Sequence, residues 1–397
     1  MPTDAAAPSS LSNPYWGDDW AQVRALWPLD PGWAHLNHGS FGAVTAEVTA
    51  AQDRWRARMA VNPMRYFLID EVEGVAASRH RAAAFLGSDP DGVALVANAT
   101  TAASTVLASV ELQPNDEVLV TDHCYGAVRL AIERAAAIAG ARVVEVMIPV
   151  HAAAPDITPL VVAHLTDRTR LIVVDHIASP TARQFPVGEI VAAAHREDVA
   201  VFVDGAHAPA QIDVDLNNLG ADFWTGNFHK WPCAARGTAA LYVAPRWRQL
   251  VRPLVTSWRH GEGFPAAFDD TGTQDQSAWL TLGDALDVLE RLSPTRLRRH
   301  GAALAAYGQH VLADVLRISA EDLWGDDELW MRCVPLPRGV ATTESAKRAL
   351  WRRISDELQC EVAVTSWSGR GAIRISAHAY NAPAEYDRLA VGLRALL

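Results

Sequence analysis

The sequence predicts an α/β fold, in which a mainly parallel sheet is covered by helices on both faces and a smaller α+β domain follows. Three observations predict it. Half of the 397 residues are hydrophobic and only 20% are charged, short apolar runs alternate with alanine-rich stretches, and long helical patterns take over beyond residue 275. Apolar runs of about five residues are typical of strands buried on both faces. Their alternation with helices indicates repeated strand–helix units.

Each element is predicted from its own stretch of sequence. The apolar runs interpreted as strands of the sheet are Val93–Ala97, Glu117–Thr121, Arg142–Val146, Leu171–Asp175, Ala200–Asp204, a run through Phe223, and Ala239–Val243. Helices are predicted between them, for example at Tyr125–Ala139 and Val187–Glu197. The later part of the chain predicts helices at Ser277–Leu292, Pro294–Val315, Ser345–Leu358 and Ala384–Leu397, with one strand at Ala372–Ser376.

These changes of pattern divide the chain into three parts. We expect an N-terminal arm over residues 1–30, a large domain over residues 31–275 and a small C-terminal domain over residues 276–397. The helix that begins at Ser277 is expected to connect the two domains.

Charge and composition exclude several classes of function. Lys and Arg number 35 and Asp and Glu number 46, a net charge of −11, whereas nucleic-acid binders carry a basic face. Apolar runs such as Val199–Val203 are far shorter than the ~20 residues that cross a bilayer. The first fifteen residues lack the pattern of a secretory signal, and the four cysteines show no CxxC spacing. We therefore expect a cytoplasmic protein that binds neither nucleic acid nor membrane and has no structural zinc site.

Polar residues collect where the predicted strands end. In open α/β sheets, ligands bind at the carboxyl ends of the strands. The polar segments at these ends are Asn98 to Thr101, Asp122-His123, Asp175-His176 with Ser179, Asp204 to His207, and Thr225 to Trp231. The sequence therefore predicts a ligand site along this edge.

Two of these segments suit a phosphate and a ring nitrogen. Thr100 and Thr101 follow a strand and open a helix, so their backbone N–H groups could bind phosphate, although a threonine caps a helix equally well. Asp204 directly follows an apolar run, where a carboxylate is costly unless it is paired. It could hold a protonated ring nitrogen or cap a helix, and His207 could reach the same ligand.

Lys230 is the most informative residue. It lies between His229 and Trp231 in a segment with few charges, and the chain has only one other lysine, Lys347. A lysine in such a site can lose its proton and attack a carbonyl to form a Schiff base. The alternative is a solvated surface lysine.

Several motifs together resemble a known family. Asp204-Gly-Ala-His-Ala followed by Gly226-Asn-Phe-His-Lys-Trp, with Asn98-Ala-Thr-Thr, Gly272-Thr-Gln-Asp-Gln and Ile373-Arg-Ile-Ser-Ala-His-Ala-Tyr-Asn, resembles the class V aminotransferase group of fold-type I pyridoxal 5′-phosphate (PLP) enzymes. Within that group the likeness is greatest to isopenicillin N epimerase-like proteins. The resemblance covers residues 30–397 and implies a mainly parallel seven-stranded sheet, PLP as cofactor and a homodimer.

The resemblance also implies a role for each cofactor-side residue. Lys230 would form the Schiff base with PLP, Asp204 would pair with the pyridine nitrogen, and His207 would lie near the phenolic oxygen. The phosphate-side positions are Thr100, Thr101, Asn227 and His229, with Thr273 supplied by the other subunit. Both His123 and Tyr125 fit the position that stacks on the ring, and Tyr125 is the favoured one. Ser179 stands where many class V enzymes have Asn.

The remaining implied residues face an amino-acid substrate. Arg374 would bind its carboxylate, which suits a planar bidentate donor. His38 and Tyr66 are candidate substrate-binding residues, and epimerisation needs a second acid or base, for which His38, Tyr66 and Tyr380 are candidates.

Four reactions stay open. Reprotonation of Cα from the opposite face gives epimerisation, which the overall likeness favours. Loss of a β-substituent gives a C–S lyase acting on cysteine conjugates or sulfoxides, and protonation at the cofactor gives transamination. A persulfide-forming desulfurase is disfavoured because the stretch Thr365–Ala372 has no cysteine. A reading from a different class is a metal-dependent hydrolase with ligands among Asp122, His123, Asp175, His176, Asp204 and His207.

Overall fold

The computed structural model describes residues 13–397, so residues 1–12 of the expected N-terminal arm lie outside the description. Within the described residues the α-helices are α1 (Trp20–Arg24), α2 (His38–Phe41), α3 (Ala46–Val61), α4 (Pro63–Arg65), α5 (Glu71–Phe85), α6 (Ala99–Ser109), α7 (Gly126–Ala139), α8 (Ala154–Val162), α9 (Val187–Arg196), α10 (Leu216–Leu219), α11 (Ser277–Leu280), α12 (Leu282–Arg291), α13 (Pro294–Leu316), α14 (Glu344–Leu358) and α15 (Pro383–Leu396). The strands are β1 (Ala34–His35), β2 (Val93–Val96), β3 (Glu117–Thr121), β4 (Arg142–Val146), β5 (Thr169–Asp175), β6 (Ala200–Asp204), β7 (Phe223–Asn227), β8 (Ala239–Val243), β9 (Met331–Pro335), β10 (Cys360–Glu361), β11 (Ala363–Trp367) and β12 (Arg370–Ser376).

Residues 47–291 form one compact unit, which we call the large unit. Its sheet has seven strands in the order β2-β8-β7-β6-β5-β3-β4. The pairs from β4 to β7 are parallel, while β8 pairs antiparallel with both β7 and β2. The mainly parallel sheet predicted from the sequence is confirmed. Because the strands run parallel, the carboxyl ends of β3, β5, β6 and β7 lie along one edge.

The core of the large unit explains the apolar runs. Strands β2, β3, β6, β7 and β8 are buried at every residue, and the apolar faces of α6 and α7 pack against this sheet. At the amino end of β7, the preceding residue Asp222 connects several elements by hydrogen bonds. Its carboxylate accepts hydrogen bonds from Val201 N–H (2.8 Å), His195 Nε2 (2.9 Å), Arg246 Nε (2.6 Å) and Trp247 Nε1 (2.7 Å).

Residues 13–46 and 292–397 form a second compact unit, the small unit. It holds an antiparallel sheet in the order β11-β12-β9 and a parallel pair of β1 with β10. Helices α13, α14 and α15 cover these strands around a core that includes Leu304, Ile354, Ile373, Ile375 and Tyr386. The expected α+β character of the C-terminal part is therefore present.

The structure differs from the sequence predictions in the division of the chain, in one helix, and in strands β1, β9, β10 and β11, which were not predicted. Residues 31–46 group with the C-terminal part, because β1 pairs with β10, whereas the expected boundary lay at residue 30. Residues 276–291 group with the large unit, because α11 and α12 pack on α5. The single helix predicted from Ser277 to Leu292 is wrong: it breaks at Thr281, whose hydroxyl donates to the carbonyl of Ala278 at 2.9 Å.

No helix within residues 13–397 is both long enough and apolar enough to cross a membrane.

Candidate active site

The ends of β6 and β7 form the centre of the site. Asp204 ends β6 and lies beside Thr225 of β7 in the register of the sheet. Its Oδ1 accepts the N–H of Ala206 at 3.0 Å, while Gly205 N–H donates to Thr225 O at 2.7 Å. These bonds turn the chain sharply after Asp204 and hold its carboxylate at the strand end.

Two glycines in this region are required by close packing. A Cβ atom on Gly205 or on Gly226 would overlap the indole ring of Trp224. Trp224 is fully buried and its Nε1 donates to His176 Nδ1 at 3.5 Å. The indole ring therefore packs directly against the backbone at Gly205 and Gly226, and only glycine leaves room for it at these two positions.

Lys230 lies in the turn that follows β7. The N–H groups of Phe228 and His229 both donate to the carbonyl of Thr238, at 3.0 and 3.1 Å, and Cys233 N–H donates to the carbonyl of Lys230 at 2.9 Å. The backbone of the lysine is thus fixed, and its side chain is half-buried. Its Nζ lies 3.1 Å from His207 Nε2, within hydrogen-bond distance.

Electrostatics couple this lysine to buried carboxyl groups. Burial raises the pKa of Asp204, although the Ala206 N–H and the Lys230 ammonium group both oppose the shift. Burial also lowers the pKa of His229 to about 4, helped by Lys230, so this imidazole is neutral at pH 7. The structure therefore gathers an amine, an imidazole and a carboxylate in a poorly solvated region.

Asp175 is a second carboxyl group at the same edge. It ends β5 directly beside Asp204 of β6, and both side chains are buried. Burial, followed by the charge of Asp204, raises the pKa of Asp175 well above its usual range, despite a backbone hydrogen bond from Tyr125. The side chain of Tyr125 is 45% exposed at the start of α7, so its ring is accessible to a ligand.

The start of α6 offers backbone donors. Asn98 caps the helix by accepting the N–H of Thr101 at 2.9 Å, and Asn227 Oδ1 accepts the N–H of Ala99 at 3.0 Å. The cap is thus an asparagine and not a threonine. Thr100 is exposed and Thr101 is half-buried in the first helical turn, where anions are favoured.

Other predicted residues lie in fixed surroundings. His123 is fully buried, with Nδ1 2.7 Å from Thr181 Oγ1 and Nε2 2.8 Å from Ile148 O. His229 Nδ1 lies 3.2 Å from Thr238 O. Ser179 is half-buried in the loop after β5. Because both ring nitrogens of His123 are engaged, Tyr125 is the more accessible of the two candidate stacking rings.

The metal-ligand alternative is not supported by the geometry. Within residues 13–397, no three of the six aspartates and histidines proposed for it bring ligand atoms within 4.8 Å of one another.

Tyr66 lies in a single π-helical turn, Tyr66–Asp70, closed by a hydrogen bond from Glu71 N–H to Tyr66 O. The phenol is fully buried, and within the described residues neither Tyr66 Oη nor Glu71 Oε1 has a hydrogen-bond partner. Burial raises the pKa of Tyr66 to about 12 and, together with the charges of Asp270 and Asp275, raises that of Glu71 to about 7.

Thr273 lies in an exposed loop of the large unit. Asp270 Oδ1 accepts the N–H of Gly272 at 3.0 Å on one side, and Asp275 Oδ1 accepts the N–H of Ser277 at 2.9 Å on the other. The loop is therefore held at both ends, and Thr273 is presented to the surface.

The small unit holds the substrate-side candidates. Arg374 on β12 is buried, and its Nη2 donates to Ser40 Oγ at 3.1 Å and to Asn37 Oδ1 at 3.3 Å. His38 Nδ1 lies 2.8 Å from Tyr380 Oη. The structure thus pairs two of the three residues considered as a second acid or base, while Tyr66 belongs to the large unit.

Sequence reasoning missed two residues that the structure brings into prominence. The sequence places Asp175 at a strand end of the predicted ligand site and among the possible metal ligands, but assigns it no role beside Asp204, although the two strand ends are alike. Glu71 carried no signal, since the π-helical turn that sets it beside Tyr66 is not visible in the spacing of residues.

Comparisons with known proteins identify a family and several similar proteins. The family model Aminotransferase class-V matches residues 46–389. The isopenicillin N epimerase of Streptomyces clavuligerus is 32% identical over 400 residues, 95% of this chain and 98% of the epimerase. The putative L-cysteine desulfhydrase 1 of Oryza sativa subsp. japonica is 36% identical over 291 residues, 68% of this chain and 60% of that protein. Among solved structures, the cystine C–S lyase C-DES in complex with its product cysteine persulfide aligns with a TM-score of 0.77 at 19% identity, covering 91% of this chain and 97% of C-DES.

Proposed function

Because this chain belongs to the class V aminotransferase family, whose members are fold-type I enzymes with PLP as cofactor, we propose that it is an epimerase acting at Cα of an amino-acid substrate. The observation that carries the proposal is the likeness to an isopenicillin N epimerase, which is 32% identical over 95% of this chain, whereas the desulfhydrase that matches over a comparable length is 28% identical. The substrate proposed is an α-amino acid or a larger molecule that bears an α-amino carboxylate.

The residues at the strand ends fit PLP by their chemistry. The cofactor needs an amine, an anionic partner for its ring nitrogen and donors for its phosphate, and the large unit supplies Lys230, Asp204 and the first turn of α6. Bound PLP withdraws electrons from Cα of an amino acid and so acidifies the Cα–H bond. The amine of Lys230 is positioned to move that proton, and His207 lies within hydrogen-bond distance of it.

The remaining residues orient the two ligands. Thr100, Thr101, Asn227 and His229 are proposed to line the phosphate, Tyr125 to cover the ring face, and Ser179 to contact the cofactor. Arg374 is proposed to bind the substrate carboxylate, because its guanidinium is buried and donates to the neutral oxygens of Asn37 and Ser40. His38 of the small unit and Tyr66 of the large unit are each proposed as substrate-binding residues.

A second candidate function is C–S cleavage, which the likeness to L-cysteine desulfhydrases favours. Such a lyase would use the same core residues. A desulfurase mechanism that forms a persulfide on an enzyme cysteine is disfavoured, because the stretch Thr365–Ala372 has no cysteine.

We further propose a homodimer and a cytoplasmic location. Apolar side chains are exposed over one segment of the large unit, Val61, Met64, Leu68, Ile69 and Val72, which suits a surface covered by a second copy. Thr273 is exposed, as expected for a residue that contacts the cofactor phosphate bound in the other subunit. None of the four cysteines forms a disulfide in the described residues, as expected in a reducing compartment.

The test is incubation of the PLP-loaded enzyme in D₂O with α-amino acids and S-substituted cysteines. Epimerisation gives deuterium at Cα together with the opposite enantiomer at that carbon. Release of pyruvate and ammonia from a cysteine derivative, without inversion, would instead establish the lyase. Formation of a keto acid in the amount of the enzyme would point to transamination.

A further inference from the structure

Asp175 and Asp204 form a pair of carboxyl groups inside the large unit. They end the adjacent parallel strands β5 and β6 and are register partners. Residues aligned in this way on strands about 4.8 Å apart project to the same face of the sheet. Asp175 is 4% exposed and Asp204 is 3% exposed, so water cannot separate their charges.

The Lys230 ammonium group is the positive charge that acts on the pair. Lys230 acts on both carboxyl groups, and the thiol of Cys124 feels both of them. The neighbouring His176 is neutral at pH 7, because burial lowers its pKa to about 4. Two ionised carboxylates would therefore leave an excess negative charge in a buried region, and such pairs retain one proton.

The contacts of each residue indicate which one keeps the proton. Asp204 Oδ1 accepts the Ala206 N–H within its own turn, a bond that stabilises the ionised form. Asp175 is the member whose charged form is more strongly disfavoured, by burial and then by the charge of Asp204.

We propose that Asp175 and Asp204 share one proton in the resting site and that Asp175 carries it, so that Asp204 alone presents a negative charge to the ring nitrogen of the cofactor. Asp175 is thus a positioning residue that acts through Asp204. This inference rests on the proposed PLP chemistry but not on which reaction at Cα follows.

The test uses infrared spectra of the full-length, PLP-loaded enzyme, in which a protonated carboxyl group has a C=O stretching band distinct from that of a carboxylate. We expect this band at pH 7 in the wild type and its loss in Asp175→Asn. In Asp204→Asn the band should remain, and its titration midpoint should fall by about 1 pH unit or more, because the neighbouring charge is gone. Glu71→Gln identifies the separate contribution of the carboxyl group of Glu71.

The inference is overturned if the Asp175→Asn spectrum equals that of the wild type at pH 7, or if Asp204→Asn leaves the titration midpoint of the band unchanged. If Asp175→Asn does not fold, the midpoint in Asp204→Asn decides, and an unchanged midpoint would refute the shared proton. None of these results depends on the products found in D₂O, so failure of the proposed reaction and failure of this inference are distinguishable.

Discussion

The candidate residues of the large unit and those of the small unit differ in the groups that surround them. In the large unit, Lys230, Asp204 and Asp175 are charged or titratable groups brought together by the ends of parallel strands. In the small unit, Arg374 donates to the neutral oxygens of Asn37 and Ser40, and the rings of His38 and His378 stack with their centroids 4.3 Å apart. From this difference we propose that the large unit supplies the groups for covalent chemistry and that the small unit supplies the groups that recognise the substrate.

The sharpest test of this division is Lys230→Ala. Without the amine, the proposed bond to PLP cannot form, and we expect turnover to fall by ~10³-fold or more with loss of the visible absorbance of the bound cofactor. Lys347→Ala is the matched control, since it removes the only other lysine, which pairs with Glu344 on α14. Equal effects of the two substitutions, or retained activity in Lys230→Ala, would contradict the assignment.

The second test concerns recognition. Arg374→Ala should weaken substrate binding about 10- to 100-fold, the value of a hydrogen bond to a charged group, while the absorbance of the cofactor is kept. Arg332→Ala is the control, because Arg332 is equally buried on the neighbouring strand but bonds to Asp327. The control should lower stability and leave the KM unchanged. Loss of the cofactor absorbance in Arg374→Ala would show that Arg374 serves cofactor binding and would contradict its assignment to substrate recognition.

A third test addresses packing beneath the strand ends. Gly226→Ala places a methyl group against the ring of Trp224 and should lower the free energy of unfolding by about 1–3 kcal/mol. Gly261→Ala, where a Cβ meets nothing within 4 Å, is the control. Urea denaturation measures both, and an equal effect in the two variants would show that the ring gives way at little cost.

The smallest expected effect is that of Glu71→Gln. The folded protein holds the proton of Glu71 up to about pH 7, whereas the unfolded chain releases it near pH 4.5. Stability is therefore lost as the pH rises through this window, and the glutamine should restore about 1–2 kcal/mol at pH 8 and nothing at pH 4. Thermal unfolding at both pH values measures this, with exposed Glu73→Gln as the control. A gain that is the same at both pH values would refute the buried-carboxyl explanation.

The sequence predicted the large unit better than the small one, for physical reasons. Strand ends such as Asp204 and Asp175 follow apolar runs directly, so one local pattern reveals both the strand and the polar residue after it. Arg374 and His38 are more than 330 positions apart, and nothing local in their segments predicts that they share a unit; their roles came from the family resemblance. The split at Thr281 and the π-helical turn at Tyr66 depend on single hydrogen bonds, which residue spacing does not reveal.

The bonds to Asp222 have a consequence for the local opening of the chain. Lys230 lies in the segment that connects β7 to β8. The two ends of this β7–β8 unit are joined by hydrogen bonds to Asp222: Ala244 N–H donates to its carbonyl oxygen at 2.8 Å, and Arg246 and Trp247 donate to its carboxylate. Segments with buried bonds at their base exchange their amide hydrogens only when a large part of the protein opens. The backbone amides of β7 and β8, which flank Lys230, should therefore be among the last to exchange with deuterium.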